Sequence, residues 1–291
     1  MTGEARNVAC SPGGRGQLVV CRSPMWNGSL VVLFRVTTGS TDNWDAHWSS
    51  LADSNSLNPA QSYRRALIFK ALGLVAASGP VRLLELGSGQ GDFAQDVLSS
   101  CPAAELVGLD LSATGVEIAG RKVQRAAFFQ QDFTRPIGLP DRYRRWATHA
   151  VCSEVLEHLD DPVAALRNVR TLLAPGCRLV VTVPAGPMSA FDKHIGHRNH
   201  FTIDRLDETL RAAGFVVAEL NGSGFPFFNL YRLTVIARGR QLIQDASGAD
   251  GRPLPLAARA AMRAFSWLFR LNRPVGSRGW QLVAIAVEPD T

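Results

Sequence analysis

Short apolar segments alternate with amphipathic helical segments through most of the chain, and this alternation limits the folds open to it. We predict seven strands, at 81–86, 105–111, 126–132, 148–155, 177–184, 216–222 and 280–289. Helical periodicity lies between them and stops at capping residues, as with Thr202 and Gly214 at the two ends of one segment. Such alternation produces a mostly parallel sheet with helices on both faces. We therefore predict an α/β, doubly wound fold.

The chain divides into parts of different pattern. Residues 1–40 show little periodicity, and we predict a poorly ordered extension there. The segment 41–80 gains helical periodicity after an Asn-Pro helix start, which predicts a helical cover. Residues 81–291 would form the sheet domain, with a helical insert at 225–279 between the sixth and seventh strands.

The insert 225–279 carries the excess positive charge of the chain. It holds nine arginines and two acidic residues, so its net charge is +7, against +6 for all 291 residues. Aromatic residues lie between the arginines. Two interpretations fit: two packed helices with a solvated arginine face, or a basic aromatic cap over a substrate site with possible contact to a membrane surface. No RNA-binding module accompanies the arginines, so we expect no nucleic-acid partner.

The cysteines indicate a reducing compartment. The five cysteines are scattered, without a Cys-x-x-Cys pair, which argues against a disulfide framework or a structural zinc site. No apolar run approaches the ~20 residues of a membrane span. The apolar segment 29–36 lacks the flanks of a secretory signal. We expect a cytoplasmic protein.

A glycine-rich turn follows the first predicted strand. The segment RLLELGSGQGDF, residues 82–93, has glycines at 87, 89 and 91. Without a Cβ atom, the backbone N–H groups at such a helix start can approach a ligand closely. Dinucleotide-binding turns require the third glycine at position 92, where this chain has Asp92. A nicotinamide-dependent dehydrogenase is therefore disfavoured.

Polar residues end the next three predicted strands. Asp110 ends the second strand, Asp132 ends the third and is followed by Phe133, and Ser153 and Glu154 end the fourth. Open parallel sheets bind ligands along this edge. The carboxylate of Asp110 can accept both hydroxyls of a ribose. Asp132 can accept from an adenine amino group, and the ring of Phe133 can pack near the base.

Taken together, these motifs resemble those of the class I S-adenosylmethionine-dependent methyltransferases. The resemblance covers about residues 44–288 and rests on the segments LLELGSGQGDF, LVGLDLS, FFQQDF, AVCSEVLEHLDDP, LLAPGCRLVVTVPA and FTIDRLDETLRAAGF. It implies S-adenosylmethionine as the cofactor and a seven-stranded sheet whose last hairpin is reversed. It also implies that the glycine turn and strand ends bind the cofactor, through Glu85, Gly87, Ser88, Gly89, Gly91, Asp110, Leu111, Asp132, Phe133 and Ser153.

Two further segments indicate the kind of acceptor. PMSAFDKHIGHRNHF and the late FFNLYR and RGWQLVAIAVEP are similar to bacterial methyltransferases that act on secondary metabolites, lipids or glycans. The resemblance implies a small-molecule acceptor, with a hydroxyl oxygen as the expected acceptor atom. A cofactor-binding regulatory protein without turnover and an RNA 2′-O-methyltransferase remain as alternatives.

The loop after the fifth predicted strand holds candidates for a general base. Transfer to a hydroxyl requires that the acceptor be oriented and its proton removed, and histidine suits this role near neutral pH. The loop contains Asp192, Lys193, His194, His197 and His200. We predict His194 and His197 as the catalytic residues, with a loop-pinning role as the alternative for each.

The stretch Glu154-x-x-Glu157-His158 raises the question of a metal ion. Two carboxylates and an imidazole on one helical face could hold a divalent cation, with His197 or His200 as a further ligand. Similar stretches occur in metal-using methyltransferases of the ubiquinone pathway and of small RNA. Metal-free relatives carry the same residues, where the Glu-His pair fixes the helix start, so we predict no metal.

Overall fold

The computed structural model describes residues 19–21, 31–33, 44–45, 58–74, 79–247, 256–273 and 276–290. Most of the predicted extension 1–40, and 41–57 of the predicted cover apart from two residues, lie outside the described residues. Within 1–40, Val19–Cys21 (β1) and Val31–Leu33 (β2) form an antiparallel pair. None of the helices in the described ranges has the length and apolar character needed to cross a membrane.

A seven-stranded sheet forms the centre of the molecule and confirms the predicted fold class. Its strands are Arg82–Leu86 (β3), Glu105–Asp110 (β4), Ala127–Gln130 (β5), Ala147–Ser153 (β6), Leu173–Pro184 (β7), Val216–Ser223 (β8) and Gln281–Val287 (β9). The order is β5-β4-β3-β6-β7-β9-β8. Only β9 runs antiparallel to its neighbours, so the last hairpin is reversed as the resemblance implied.

Helices cover both faces of this sheet. They are Pro59–Leu72 (α1), Asp92–Ser100 (α2), Ala113–Lys122 (α3), Pro162–Val169 (α4), Ala190–His194 (α5), Ile203–Ala212 (α6), Phe227–Ser247 (α7) and Leu256–Leu268 (α8). Side-chain caps fix several starts: the side chain of Asn58 accepts from the N–H of Ala60, and that of Thr202 from Arg205. Local sequence thus determines where these helices begin.

The central strands are apolar on both faces, because each face packs against helices. On β7, Leu179, Val181 and Val183 belong to one core cluster, whereas Val180 belongs to the cluster on the opposite face. All four side chains are fully buried. Burying each such side chain contributes roughly 1.5–3 kcal/mol, so this strand is a main source of the stability that holds the site edge in place.

Strand β7 begins earlier than predicted. The sequence predicted a strand from 177, but α4 ends at Val169, a 3-10 turn follows, and β7 starts at Leu173. Leu173 pairs with Ala147, and the register shifts before the next pair. The irregular pairing includes Gly176, whose φ of 72° is accessible to glycine.

The insert consists of two helices that pack on α1. Phe228 of α7 and Phe269 just after α8 form a small core with Ala60 of α1. The ring of Tyr63 lies 5.5 Å from the Phe228 ring and 5.2 Å from the Phe269 ring, centroid to centroid. Aromatic packing therefore joins α1 and the insert into one cover at the edge of the sheet.

Candidate active site

A cavity of about 610 Å³ lies at the carboxyl ends of β3, β4 and β6. The glycine turn and the strand ends form one side of it. The other side is formed by helix α1, by the two insert helices and by the loop 187–201, called here the histidine loop. The edge predicted from the strand-end motifs is thus part of the wall of one cavity, whose volume is in the range typical of small-molecule sites.

The glycine turn connects β3 to α2 through left-handed backbone conformations. Gly87 has φ of 76° and Gly89 of 50°, values that favour glycine. The N–H groups of Gly87 and Ser88 donate to the carbonyl of Leu109, at 2.8 and 3.0 Å. A Cβ atom on Gly87 would clash with Val155. Both glycines line the cavity, and their contact with a cofactor stays a prediction.

Gly91, the third glycine of the predicted cofactor-binding turn, is not part of the cavity wall, and a role for it in cofactor binding stays a prediction. Gly91 is the N-cap of α2, with φ of 75°, and it lies outside the cavity lining. A Cβ atom there would lie 3.0 Å from the Cβ of Ala119 in α3. The third glycine therefore allows close packing beneath the turn and takes no part in the cavity wall.

Three buried polar side chains of this wall have unused hydrogen-bonding atoms. Within the described ranges, Glu85 Oε2, Ser88 Oγ and Gln90 Nε2 have no hydrogen-bond partner. All three residues line the cavity and are at most 6% exposed. Burial, and secondarily the charge of Asp110, raises the pKa of Glu85 well above its usual value. Buried polar atoms are ordinarily paired, so this wall has the character of a ligand site.

Asp110 ties the end of β4 to the glycine turn. Its Oδ2 accepts from the Gly89 N–H at 2.7 Å, and its Oδ1 accepts from the Ser112 N–H at 2.8 Å. Burial raises the pKa of Asp110 to about 6, against the lowering effect of these two hydrogen bonds. Each carboxylate oxygen keeps a second lone pair for a ligand hydroxyl. The neighbouring Leu111 also lines the cavity, as predicted.

The other predicted cofactor residues also line the cavity, but they have protein partners. Asp132 Oδ1 accepts from both the N–H and the hydroxyl of Thr134, at 2.9 and 2.6 Å. The ring of Phe133 is 8% exposed and belongs to the core. Ser153 Oγ lies 2.9 Å from Thr182 Oγ1. Their contacts to a nucleoside stay a prediction.

A polar junction on the side of the cavity opposite the glycine turn was not predicted from the sequence. We call this side the acceptor side. Glu154, with φ of 56°, directs Oε2 to Arg64 Nη1 at 3.2 Å. Its Oε1 accepts from Gln281 Nε2 at 2.9 Å. Arg64 lies on α1 and Gln281 begins β9, so the junction joins three distant segments at the cavity wall. No local pattern marks Arg64 or Gln281, because the fold alone brings them together.

The histidine loop is anchored to the insert by a buried ion pair. Asp192, 1% exposed, accepts from Arg232 Nη1 and Nη2 at 3.1 and 2.8 Å. Its Oδ2 also accepts from the Ser189 N–H at 2.7 Å, in a capping box that starts α5. Burial alone would raise the pKa of Asp192, but Arg232 and the Ser189 bonds outweigh it and lower the pKa to about 2.

The hydrogen bonds that link Gly186, His200 and His197 determine which nitrogen of His197 carries a lone pair. His200 Nδ1 lies 2.9 Å from the Gly186 carbonyl, which only accepts, so Nδ1 donates. Burial lowers the pKa of His200, which leaves the ring neutral and Nε2 an acceptor. His197 Nδ1 lies 3.2 Å from that Nε2 and is therefore the donor. His197 Nε2 thus keeps its lone pair, and His197 lines the cavity.

His194, the other predicted catalytic residue, is not among the residues that line the cavity. His194 is the exposed last residue of α5 and lies outside the cavity lining. Helix α5 directs Asp192 inward to Arg232. A residue two positions later lies on the opposite side of a helix, so His194 points away from that buried pair.

Two groups of side chains have the spacing of a metal site. Ligand atoms of Glu157, His158 and His197 lie within 4.8 Å of one another, as do those of Asp192, His197 and His200. The first group could hold a divalent cation. In the second group Asp192 is already neutralised by Arg232. Glu154, which the sequence suggested as a ligand, belongs to neither group because Arg64 and Gln281 engage it.

Comparison with known proteins places this site in context. A family model described as "Methyltransferase domain" matches residues 60–220, more than half of the chain. A demethylmenaquinone methyltransferase of Thermus thermophilus is 33% identical over 124 residues, which are 42% of this chain and 56% of that protein. The chain therefore spans little more than half the length of that relative. A ubiquinone biosynthesis O-methyltransferase of Aeromonas salmonicida is 25% identical over 175 residues, 52% of this chain and 70% of that protein.

A solved structure agrees with the architecture. A phosphoethanolamine N-methyltransferase of Haemonchus contortus, in complex with phosphomonomethylethanolamine and S-adenosylhomocysteine, has a TM-score of 0.56 at 16% identity. The match covers 90% of this chain and 63% of that one. At this identity the likeness shows the fold alone.

Proposed function

The chain belongs to the methyltransferase domain family whose model spans residues 60–220, and from that premise we propose that it methylates a phenolic hydroxyl of a small apolar molecule with S-adenosylmethionine. The observation that carries the proposal is the cavity. It connects the unpaired polar atoms of the glycine turn with the lone pair of His197 and with apolar side chains of the insert.

The glycine-turn side of the cavity fits this cofactor. Gly87 and Gly89 leave the main chain free of Cβ atoms, and the partnerless Glu85 and Ser88 supply buried polar atoms. An ammonium group beside Glu85 would restore the charge that burial disfavours. Asp110 has lone pairs for ribose hydroxyls. When bound, S-adenosylmethionine supplies an electrophilic methyl group on a sulfonium sulfur.

The other side of the cavity supports an apolar, ring-bearing acceptor. Its lining includes Tyr231 and Val235 from α7 and Ala258, Met262 and Phe265 from α8. Such walls exclude water and favour flat apolar ligands. The curated relatives are named for demethylmenaquinone and for ubiquinone biosynthesis. A quinol or a related phenol is the acceptor class that both observations favour.

His197 is the residue we assign as the proton acceptor. Two hydrogen bonds, between the Gly186 carbonyl and His200 and between His200 and His197, fix the His197 ring. Its Nε2 keeps a lone pair that can accept a proton. Burial, then the neighbouring His158, lowers the pKa of His197 to about 3, so it is a weak base. Because a phenol, with a pKa of about 10, is a far stronger acid than an alkyl alcohol, it is the hydroxyl acceptor that needs the least help from a base.

The test is a transfer assay with matched acceptors. The purified protein is incubated with S-adenosylmethionine and a hydroquinone, a naphthol or an alkyl alcohol of similar size, and products are measured by mass spectrometry. We expect an added mass of one methyl group on the phenolic oxygen. Methylation of a ring carbon or of the alcohol, or binding without transfer to any acceptor, would contradict the assignment.

A metal arm of the same assay separates two uses of the His197 lone pair. With His197 as the base, EDTA leaves the transfer rate unchanged. If Glu157, His158 and His197 instead hold a divalent cation, EDTA abolishes transfer and added Mg²⁺ or Zn²⁺ restores it. The second result would mean that Glu157, His158 and His197 hold a cation, which would supply Lewis-acid chemistry in place of the base.

A further inference from the structure

Helix α8 has two apolar faces; one is turned to the cavity, and the other is exposed with respect to the described part of the chain. On the inner face, Met262 and Phe265 line the cavity. On the outer face, Leu256 is 81% exposed, Trp267 59%, and Leu271, in the 3-10 turn directly after the helix, 49%. Large apolar side chains this exposed on one helix call for an explanation in terms of a partner.

The exposed apolar residues follow helical spacing. Ala260 and Ala264 are also exposed, so the positions 256, 260, 264, 267 and 271 advance by four, four, three and four residues. Residues at such steps lie on one helical face. The outer face is therefore a continuous apolar stripe with a Trp and a Leu at its C-terminal end.

Arginines run beside this stripe. Arg259, Arg263 and Arg270 are exposed and lie at steps of four and seven residues. The sequence from 251 to 279 contains no acidic residue. The positive charge along the stripe therefore has no compensation from its own segment, and it is complementary to an anionic surface.

We propose that the outer face of α8 docks on an anionic lipid bilayer. A central apolar stripe with Trp and Leu, flanked by arginine, is the pattern of helices that lie in the membrane–water interface. The arginines add attraction to anionic headgroups. A nucleic acid would contact the arginines but would leave Leu256 and Leu271 in water. A bilayer accounts for both the apolar stripe and the arginines beside it.

Docking in this orientation would hold the cavity close to the lipid surface. Helix α8 separates the two: one face contacts the bilayer and the other lines the cavity. This inference goes beyond the proposed transfer reaction and does not depend on it, because it rests on the outer face alone.

Vesicle flotation of the full-length protein tests the proposal. We expect flotation with vesicles of phosphatidylcholine mixed with phosphatidylglycerol, weak flotation with phosphatidylcholine alone, and loss of binding at high salt. Equal binding to both vesicles, or no binding to either, would overturn the proposal. Binding to a single-stranded RNA oligonucleotide in place of the anionic vesicles would also overturn it.

Variants locate the contact. Replacing Arg259, Arg263 and Arg270 together with Glu should weaken binding to anionic vesicles by at least roughly 100-fold. The double variant Trp267→Ser, Leu271→Ser should weaken it roughly 10-fold. The control makes the same charge change elsewhere on the exposed surface, at Arg121, Arg142 and Arg144.

The control decides whether the binding to anionic vesicles depends on the net charge of the protein or on the stripe of α8. We expect the control triple variant to retain most of the binding, and all variants to bind S-adenosylhomocysteine and melt like wild type. An equal loss in the control would show that overall charge governs binding and would contradict docking through α8. Retained binding in the Trp267→Ser, Leu271→Ser variant would do the same.

Discussion

The two sides of the cavity are built in different ways. The glycine-turn side consists of backbone N–H groups and side chains that lie close in sequence, as with Asp110 and Gly89, 21 residues apart. The acceptor side consists of side-chain pairs between distant segments. Glu154 and Gln281 lie 127 residues apart, and Asp192 and Arg232 lie 40 apart.

This difference indicates how the two sides can change. A turn made of main-chain atoms and positive-φ glycines tolerates few substitutions, since nearly any side chain fills the space. A wall held by ion pairs between a loop and an insert can be rebuilt when the insert changes, without disturbing the sheet. We therefore expect substitutions to separate into those that affect cofactor binding and those that affect only the acceptor reaction.

The largest difference in activity is expected between variants of two histidines that lie three residues apart in the sequence. The His197→Ala variant should lose 10²- to 10⁴-fold in kcat, because it removes the proton acceptor, while its affinity for S-adenosylhomocysteine stays unchanged. His194→Ala is the control, because His194 is exposed outside the cavity. Single-turnover assays and calorimetry measure both variants. A full rate in His197→Ala would remove the base assignment.

The glycine turn should show the opposite effect. Gly87→Val introduces a Cβ at φ of 76° and a clash with Val155, so we expect S-adenosylhomocysteine affinity to fall roughly 100-fold. Gly73→Ala is the control, because Gly73 has φ of 66° but no atom of the described residues lies within 4 Å of its Cβ position. Calorimetry should show unchanged affinity in the control. Equal losses would mean that general destabilisation is responsible.

The ion pair between Asp192 and Arg232, which anchors the histidine loop, should make the free energy of unfolding decrease at acid pH. The pKa of Asp192 is lowered from 3.8 to about 2, so its ionisation stabilises the fold above pH 4 and this contribution is lost as the pH falls towards 2. The shift corresponds to about 2 kcal/mol. Asp192→Asn should remove this dependence and lower the free energy of unfolding at pH 7, measured by urea denaturation.

The control for Asp192 is an exposed pair of the same chemistry. Asp207 and Arg211 form an ion pair one helical turn apart on the surface of α6. Solvent screens such pairs, so Asp207→Asn should change the unfolding free energy far less. Similar losses in the two variants would show that burial of Asp192 contributes nothing special.

The smallest expected effect is a pH dependence of cofactor affinity. The pKa of Asp110 is raised to about 6 by burial, so its carboxylate becomes protonated as the pH falls below 6 and loses acceptor capacity. Affinity for S-adenosylhomocysteine should fall roughly 10-fold between pH 7 and pH 5. Asp110→Asn should bind weakly at both values. An affinity that rises towards pH 5 would contradict the ribose role.

The sequence predicted the sheet and the glycine-turn side well, for physical reasons. Strand ends and helix caps are local signals, and parallel topology brings strand ends to one edge, so Asp110 and Ser153 could be placed without a structure. For Gly91, spacing alone does not reveal which side of a turn a Cα faces. In the structure it faces Ala119.

The acceptor side was predicted only in part, because its geometry depends on tertiary contacts. Sequence placed a histidine loop at the correct edge but could not order its members. The direction of α5, set by the pair between Asp192 and Arg232, decides that His197 faces the cavity and His194 does not. The partners of Glu154 lie too far along the chain to be found from spacing.

Calorimetric titration with S-adenosylhomocysteine, and separately with NADH, tests the central claim most directly. The site described here predicts micromolar binding of S-adenosylhomocysteine by wild type and by His197→Ala alike, with loss in Gly87→Val and no binding of NADH to any of them. Binding of NADH, or equal binding of S-adenosylhomocysteine by wild type and Gly87→Val, would contradict the assignment of the glycine turn to the methyl donor.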